Sequence, residues 1–146
     1  MKIKASVEIN APLSVVWHTF SQMERWDDWN TACRSCCILS GDEELSAGTC
    51  FSFVIRPLVF PLKVQPKIVK CDPGNEVVWE GGRLGIYASH TWRFRQEDDM
   101  VVVLSVERFN GPMMWVGYVM KLPHRLHKLT LDFLQTLKSA AEACST

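Results

Sequence analysis

The sequence predicts an α+β fold: a curved, seven-stranded antiparallel sheet with a long C-terminal helix lying across it. Three observations predict it. Residues 2–109 carry short runs that alternate apolar and polar side chains, the period of a strand with one buried face. Short turns separate most of these runs, and strands joined that way pair antiparallel. Leu122 to Cys144 then repeats apolar residues at helical spacing, and it is the only element long enough to cover the apolar side of the sheet.

Each element has its own signal. Ile3, Ala5, Val7 and Ile9 share one face of the first strand, with Lys2, Lys4, Ser6 and Glu8 on the other. Asn10-Ala11-Pro12 ends it, and proline suits the first turn of the helix outlined by Leu13, Val16, Trp17 and Phe20. Arg25 to Asn30 forms a second short helix or turn. Strands follow from about Arg34 to Ser40, Thr49 to Ile55, Leu62 to Cys71, Glu76 to Gly81, Tyr87 to Gln96 and Val101 to Phe109. Pro66 marks an edge or a bulge, and Arg56 to Pro61 is a proline-flanked connection. Gly41-Asp42 and Asp72-Pro73-Gly74-Asn75 are turns.

A three-residue turn at Glu97-Asp98-Asp99 pairs Phe94 with Val102, Trp92 with Leu104 and His90 with Val106. That register leaves Arg93, Arg95, Ser105 and Glu107 as a solvated ladder on the other face. In the terminal helix, Leu122, Leu126, Leu129, Phe133, Leu137, Ala140 and Ala141 form the apolar stripe. Lys121, Arg125, Lys128, Asp132, Lys138 and Glu142 mostly take the other side, and Pro123 falls in the first turn.

The 146 residues suit a single domain over 1–146, with no internal repeat or low-complexity linker. A chain of this size buries roughly 70% of its unfolded surface and needs neither disulfides nor metal to fold. Lys+Arg and Asp+Glu number 16 each, so no general field steers phosphates and nucleic acid is not an expected partner. No apolar run is long enough to span a membrane. Met1-Lys2-Ile3-Lys4 lacks the apolar block of a signal peptide, so a cytoplasmic location is expected, with the six cysteines reduced. Cys33-x-x-Cys36-Cys37 is half a zinc site without a second ligand pair. If the segment is extended, Cys33 and Cys36 point to opposite faces. No metal is expected. Nor is a cofactor, since Gly81-Gly82-Arg83-Leu84-Gly85 lacks phosphate-loop spacing and reads as a hairpin turn.

Several short motifs run through the chain in order: Ile9-Asn10-Ala11-Pro12 with Val16-Trp17, Trp26-x-x-Trp29-Asn30, Gly48-Thr49-x-Phe51, Asp72-Pro73, Val78-Trp79-x-Gly81, His90-x-Trp92-x-Phe94, Glu107-x-Phe109-x-Gly111 and Leu137-Lys138-x-x-Ala141-Glu142. Together they resemble the START-like, birch-pollen-allergen-like (SRPBCC) superfamily, in particular its polyketide cyclase/dehydrase and lipid-transport-like branch. The resemblance implies a helix-grip fold with a cavity between sheet and helix. It also implies a small apolar ligand, and fold alone does not choose between carriage, catalysis and protein interaction.

The expected ligand-binding wall is the inward set Phe51, Phe53, Ile55, Leu62, Val64, Trp79, His90, Trp92, Phe94, Leu104, Leu129 and Phe133, with Trp29 at the mouth. These residues could equally be core, and their many rings predict a narrow space. His90 is the polar residue of interest: a ligand contact, a general base, or a buried imidazole bonded to backbone or water. With no second acid or base on its face, since Glu107 joins it only if the register differs, the structural role is favoured over catalysis and no catalytic residue is assigned. Arg56 could reach an anionic headgroup. Asp27-Asp28 reads as a solvated turn, and His124 and His127 as solvated helix residues. Met113 to Met120 is too apolar for a solvated loop. It reads as a packed first helical segment or lid, ahead of a homodimer patch, and ahead of a membrane contact because it lacks a basic face. Binding of a hydrophobic or aromatic molecule, as carrier or sensor, leads. A cyclase/dehydratase-like enzyme and an interaction module are the alternatives.

Overall fold

The computed structural model describes residues 1–42 and 44–144, so the last two residues of the expected 1–146 domain lie outside the described part. The chain forms β1 (Lys2–Ile9), α1 (Leu13–Ser21), a 3-10 helix (Met23–Asp28), β2 (Cys33–Ser40), β3 (Cys50–Ile55), β4 (Leu62–Val64), β5 (Lys67–Asp72), β6 (Glu76–Arg83), β7 (Ile86–Glu97), β8 (Met100–Asn110), α2 (Met114–Val119) and α3 (Leu122–Cys144). The strands form one antiparallel sheet in the order β1-β8-β7-β6-β5-β3-β2, and β4 pairs with β3. The curled sheet grips α3, the helix-grip architecture. The expected Leu62–Cys71 strand is divided at Pro66, which has no N–H for a ladder. Its carbonyl still accepts from Phe51 N at 3.2 Å, and Ile68 N resumes pairing by donating to Thr49 O at 2.8 Å.

The β7–β8 register departs from expectation by one residue. The turn holds two residues, not three: Glu97 pairs with Met100, and Asp98 takes φ +52 to close it. The Gln96 amide supports it, donating to Asp98 O at 2.8 Å and to Met100 O at 3.2 Å. Phe94 therefore opposes Val103, Trp92 opposes Ser105, and His90 opposes Glu107. Leu104 pairs with Arg93 on the outer face, so it leaves the expected ligand wall. Ser105 and Glu107 turn inward. Residues 101–106 are apolar at nearly every position, so their own pattern cannot choose a face. The choice comes from β1, whose inward Val7 and Ile9 sit against Val103 and Val101. On the outer side, the stems of Arg93 and Arg95 lie against Leu104 and Val102.

β2 brings a second correction. Cys33 and Cys36 are both buried rather than on opposite faces. Ser35 adopts φ +54, and the β2–β3 pairing shifts between Arg34 and Cys37. This bulge inserts a residue and breaks the alternation. The Asp27 carboxylate holds it by accepting from Ser35 N at 3.1 Å. Upstream, Asn30 bridges the 3-10 helix to β2: its side-chain oxygen accepts from Ala32 N and Cys33 N, and its amide donates to Cys33 O. Burial pushes the Cys33 thiol up to about 11 and Cys36 further still, so both are inert thiols near neutral pH.

The packed core gathers at one end of the groove. Phe20 of α1 is fully buried, with Trp92 at 5.2 Å and Phe94 at 5.0 Å between ring centroids, and Trp26, Trp79 and Phe133 beyond. The Trp26 indole N–H donates to Phe20 O at 2.8 Å and locks α1 to the 3-10 helix. Phe20→Ala removes the hub of this cluster and is expected to cost about 3–5 kcal/mol, read from urea unfolding midpoints.

Candidate functional site

The aromatic cluster fills only half of the groove. Toward the other end, small residues (Gly81, Gly82 and Ala88 on the sheet, Gly117 on α2) line an open space of about 710 Å³ between sheet and α3. The space is wider than the many inward rings suggest: Phe20, Trp26 and Phe94 pack together toward one end, while Phe53, Phe60 and Phe109 share the open part with these small residues. Phe53, Ile55, Leu62, Val64, Trp79, His90, Trp92, Leu129 and Phe133 line the cavity. Phe51, Phe94 and Trp29 do not. Phe51 stacks behind Phe53, Phe94 packs on Phe20 and Trp17, and Trp29 packs on Trp26 and Phe133 at the closed end. Phe51 and Phe94 are buried in the core, and Trp29 packs against it half-buried.

The cavity reaches the surface where its lining residues are most exposed. Phe60 from the β3–β4 loop, Leu84 from the β6–β7 turn, and Met113 and Met120 flanking α2 are 39–69% exposed. Residues 113–120 therefore form a helical cover with Val116, Gly117 and Met120 against the cavity. Arg83 reaches the rim, whereas Arg56 is exposed and outside the wall. His124 and His127 also lie outside the wall.

One polar niche interrupts the apolar wall. His90 on β7 and Glu107 on β8 are cross-strand neighbours with side chains only 12% and 13% exposed. His90 Nε2 lies 2.6 Å from Ser105 Oγ, and His90 Nδ1 lies 3.8 Å from Glu107 Oε1, beyond hydrogen-bond reach. Thr130 of α3 places its hydroxyl 2.8 Å from Glu107 Oε1 and 3.1 Å from Leu126 O. A hydroxyl carries one proton. A neutral Glu107 that donates to Thr130, which in turn donates to Leu126 O, satisfies both contacts; an ionised Glu107 competes with the carbonyl for that proton.

Burial acts in the same direction. It pushes the Glu107 carboxyl up to about 7, opposed in part by the Thr130 hydroxyl when that group donates to it. Burial also pushes His90 down to about 3, so its imidazole is neutral across the physiological range. A carboxyl that keeps its proton up to near neutrality thus sits beside a neutral imidazole. Glu107 was hidden in the sequence by the register, and Ser105 with it. Thr130 was legible in principle, because it lies four residues after Leu126 and three before Phe133, on the same helical stripe.

A family model described as polyketide cyclase/dehydrase and lipid transport matches residues 1–142. No curated protein sequence matches the chain. Among solved structures, the fold is similar to a protein of Thermus thermophilus, with TM-score 0.84 and 15% identity, covering 100% of each chain. It is similar to the Zhui aromatase/cyclase of a Streptomyces species, with TM-score 0.78 and 12% identity over 97% of this chain and 93% of that one. It is also similar to norcoclaurine synthase of Thalictrum flavum, with TM-score 0.74 and 18% identity over 100% of this chain and 96% of the other. At these identities the likeness is one of fold.

Proposed function

Because the chain belongs to the polyketide cyclase/dehydrase and lipid-transport family, we propose that it binds a small, largely apolar molecule between sheet and helix, as a carrier or sensor. The cavity of about 710 Å³ carries this reading. Open to solvent at the rim and walled almost wholly by apolar side chains, this space is not left empty. Something must occupy it, and water gains hydrogen bonds only at the niche. A ligand with an apolar or aromatic body displaces that water favourably, and a single hydroxyl, carbonyl or amine suits Glu107 and His90.

Native mass spectrometry of freshly purified protein is expected to show a mass excess from a bound molecule, with a fall in melting temperature when it is stripped. Ligand at about 100 times its Kd stabilises by about 2.7 kcal/mol, or several degrees for a chain of this size. No retained mass, and no stabilisation by any member of a panel of hydrophobic and aromatic compounds, would sink this reading.

A second reading is favoured by Glu107 standing beside His90. There the bound molecule undergoes proton transfer, with Glu107 as acid and neutral His90 as base, as in a cyclisation or dehydration. His90→Gln and Glu107→Gln would then each abolish turnover and leave binding within about tenfold. Loss of binding without any turnover in the parent protein argues for carriage alone.

A further inference from the structure

The rim of the cavity carries a feature that ligand binding does not require. Trp115, Tyr118 and Val119 point away from the cavity on the outer side of α2 and are 67%, 55% and 76% exposed. Val59 in the facing loop is 90% exposed, and Leu84 at the β6–β7 turn is 69% exposed. These side chains come from three separate segments, each of which also lines the mouth of the cavity.

The exposed charges around them are mainly basic, with Glu80 an acidic neighbour on β6. No Asp or Glu occurs between Glu44 and Asp72, between Glu80 and Glu97, or between Glu107 and Asp132. Those three stretches supply the rim. Arg56, Lys63, Arg83, Lys121 and Arg125 stand beside or among its lining residues, all exposed, and none of them forms an ion pair among the described residues. One acidic group lies at the other end. Glu97, Asp98 and Asp99 occupy the β7–β8 turn, and Asp98, Asp99 and Glu142 surround a polar depression there. β7 runs from one end to the other, roughly 40 Å at about 3.4 Å per residue. The cavity mouth is therefore an apolar surface ringed mainly by cations in a chain of net charge +0.

We propose that the mouth of the cavity docks reversibly on an anionic lipid bilayer. Trp115, Tyr118, Val119, Val59 and Leu84 would enter the interfacial region, where aromatic rings with one polar edge are favoured. The surrounding arginines and lysines would pair with anionic headgroups. Residues 113–120 by themselves have no basic face; the cations come from β3–β4, the β6–β7 turn and the start of α3. No helix among the described residues is long and apolar enough to cross a membrane, so the contact is peripheral. Docking in this pose places the opening against the headgroups, where an apolar ligand could pass without crossing water.

The test is sedimentation of the full chain with vesicles of phosphatidylcholine alone or phosphatidylcholine mixed with phosphatidylglycerol. Binding is expected to the mixed vesicles, with a blue shift of the exposed Trp115 emission, and is expected to weaken steeply with salt. Trp115→Glu with Val119→Glu, and separately Arg56→Glu with Arg83→Glu, should each weaken it at least about tenfold. Arg95→Glu, at the acidic end, should leave it unchanged. Circular dichroism on every variant confirms folding. No binding to the mixed vesicles at low salt, equal binding to neutral vesicles, or full binding by Trp115→Glu with Val119→Glu overturns the proposal. So does concentration-dependent dimerisation that the same double variant abolishes, because the rim then belongs to a second copy. A cavity-filling variant should still bind vesicles, which separates failure of docking from failure of the ligand reading.

Discussion

Ala88→Trp is expected to abolish ligand retention and leave the protein folded. Ala88 lies on β7 opposite Gly81 and Phe109, and its methyl group faces the open half of the cavity. An indole there projects into space and not into packed core. The overpacking penalty, about 1–3 kcal/mol in a filled interior, should be smaller here, and burial of the added ring offsets it. The ligand loses the volume next to the niche and its path past Gly82 and Leu84. Thermal melts with and without ligand should show the parent gaining several degrees and the variant gaining none. A variant that still gains the full shift would mean that the ligand sits elsewhere, and the cavity reading would fail with it.

Glu107→Gln is expected to stabilise the protein above neutrality and to do nothing in acid. The folded-state pKa is raised from 4.5 to about 7 by burial. Between those values the folded protein holds a proton that the unfolded chain releases, so stability falls as pH rises, by about 1.4 kcal/mol per unit and about 3 kcal/mol in all. Glutamine keeps the shape of the neutral acid and removes the loss. His90 acts with the opposite sign. Its folded pKa is lowered from 6.5 to about 3, so its contribution is complete above the unfolded value and is lost as pH falls toward the folded one.

Between about pH 4.5 and 6.5 the two slopes cancel in the parent protein. Each variant exposes the other slope. Glu107→Gln should gain stability with rising pH up to about 6.5, and His90→Gln should lose it from about 4.5 to 7. Urea midpoints across that range read both directly. If Glu107→Gln tracks the parent protein above neutrality, the carboxylate is ionised and solvated, and neither a neutral acid nor an acid–base pair exists at the site.

The niche also shows where sequence reasoning reached its limit. The strand positions, α3 from Leu122 to Cys144 and the inward faces of β1, β3, β6 and β7 all follow from alternation and helical spacing, because there the two faces differ sharply in polarity. Val101 to Val106 carries apolar residues on both faces. A one-residue difference in the Asp98-Asp99 turn therefore cost little in pattern, yet it exchanged Leu104 for Glu107 in the wall. Cys36 went the same way through the bulge at Ser35.

The sequence by itself determined the architecture, since burying one apolar face of seven strands under one apolar helix has few solutions. It also determined that the groove would be apolar and ringed. Only the tertiary structure decided how the rings were shared out, with Phe20, Trp26 and Phe94 closing one end and Gly81, Gly82 and Ala88 leaving about 710 Å³ at the other. It alone set Glu107 against His90 and gathered the rim cations from three distant segments. Those outcomes depend on register and on through-space neighbours, and a linear pattern of polarity contains neither.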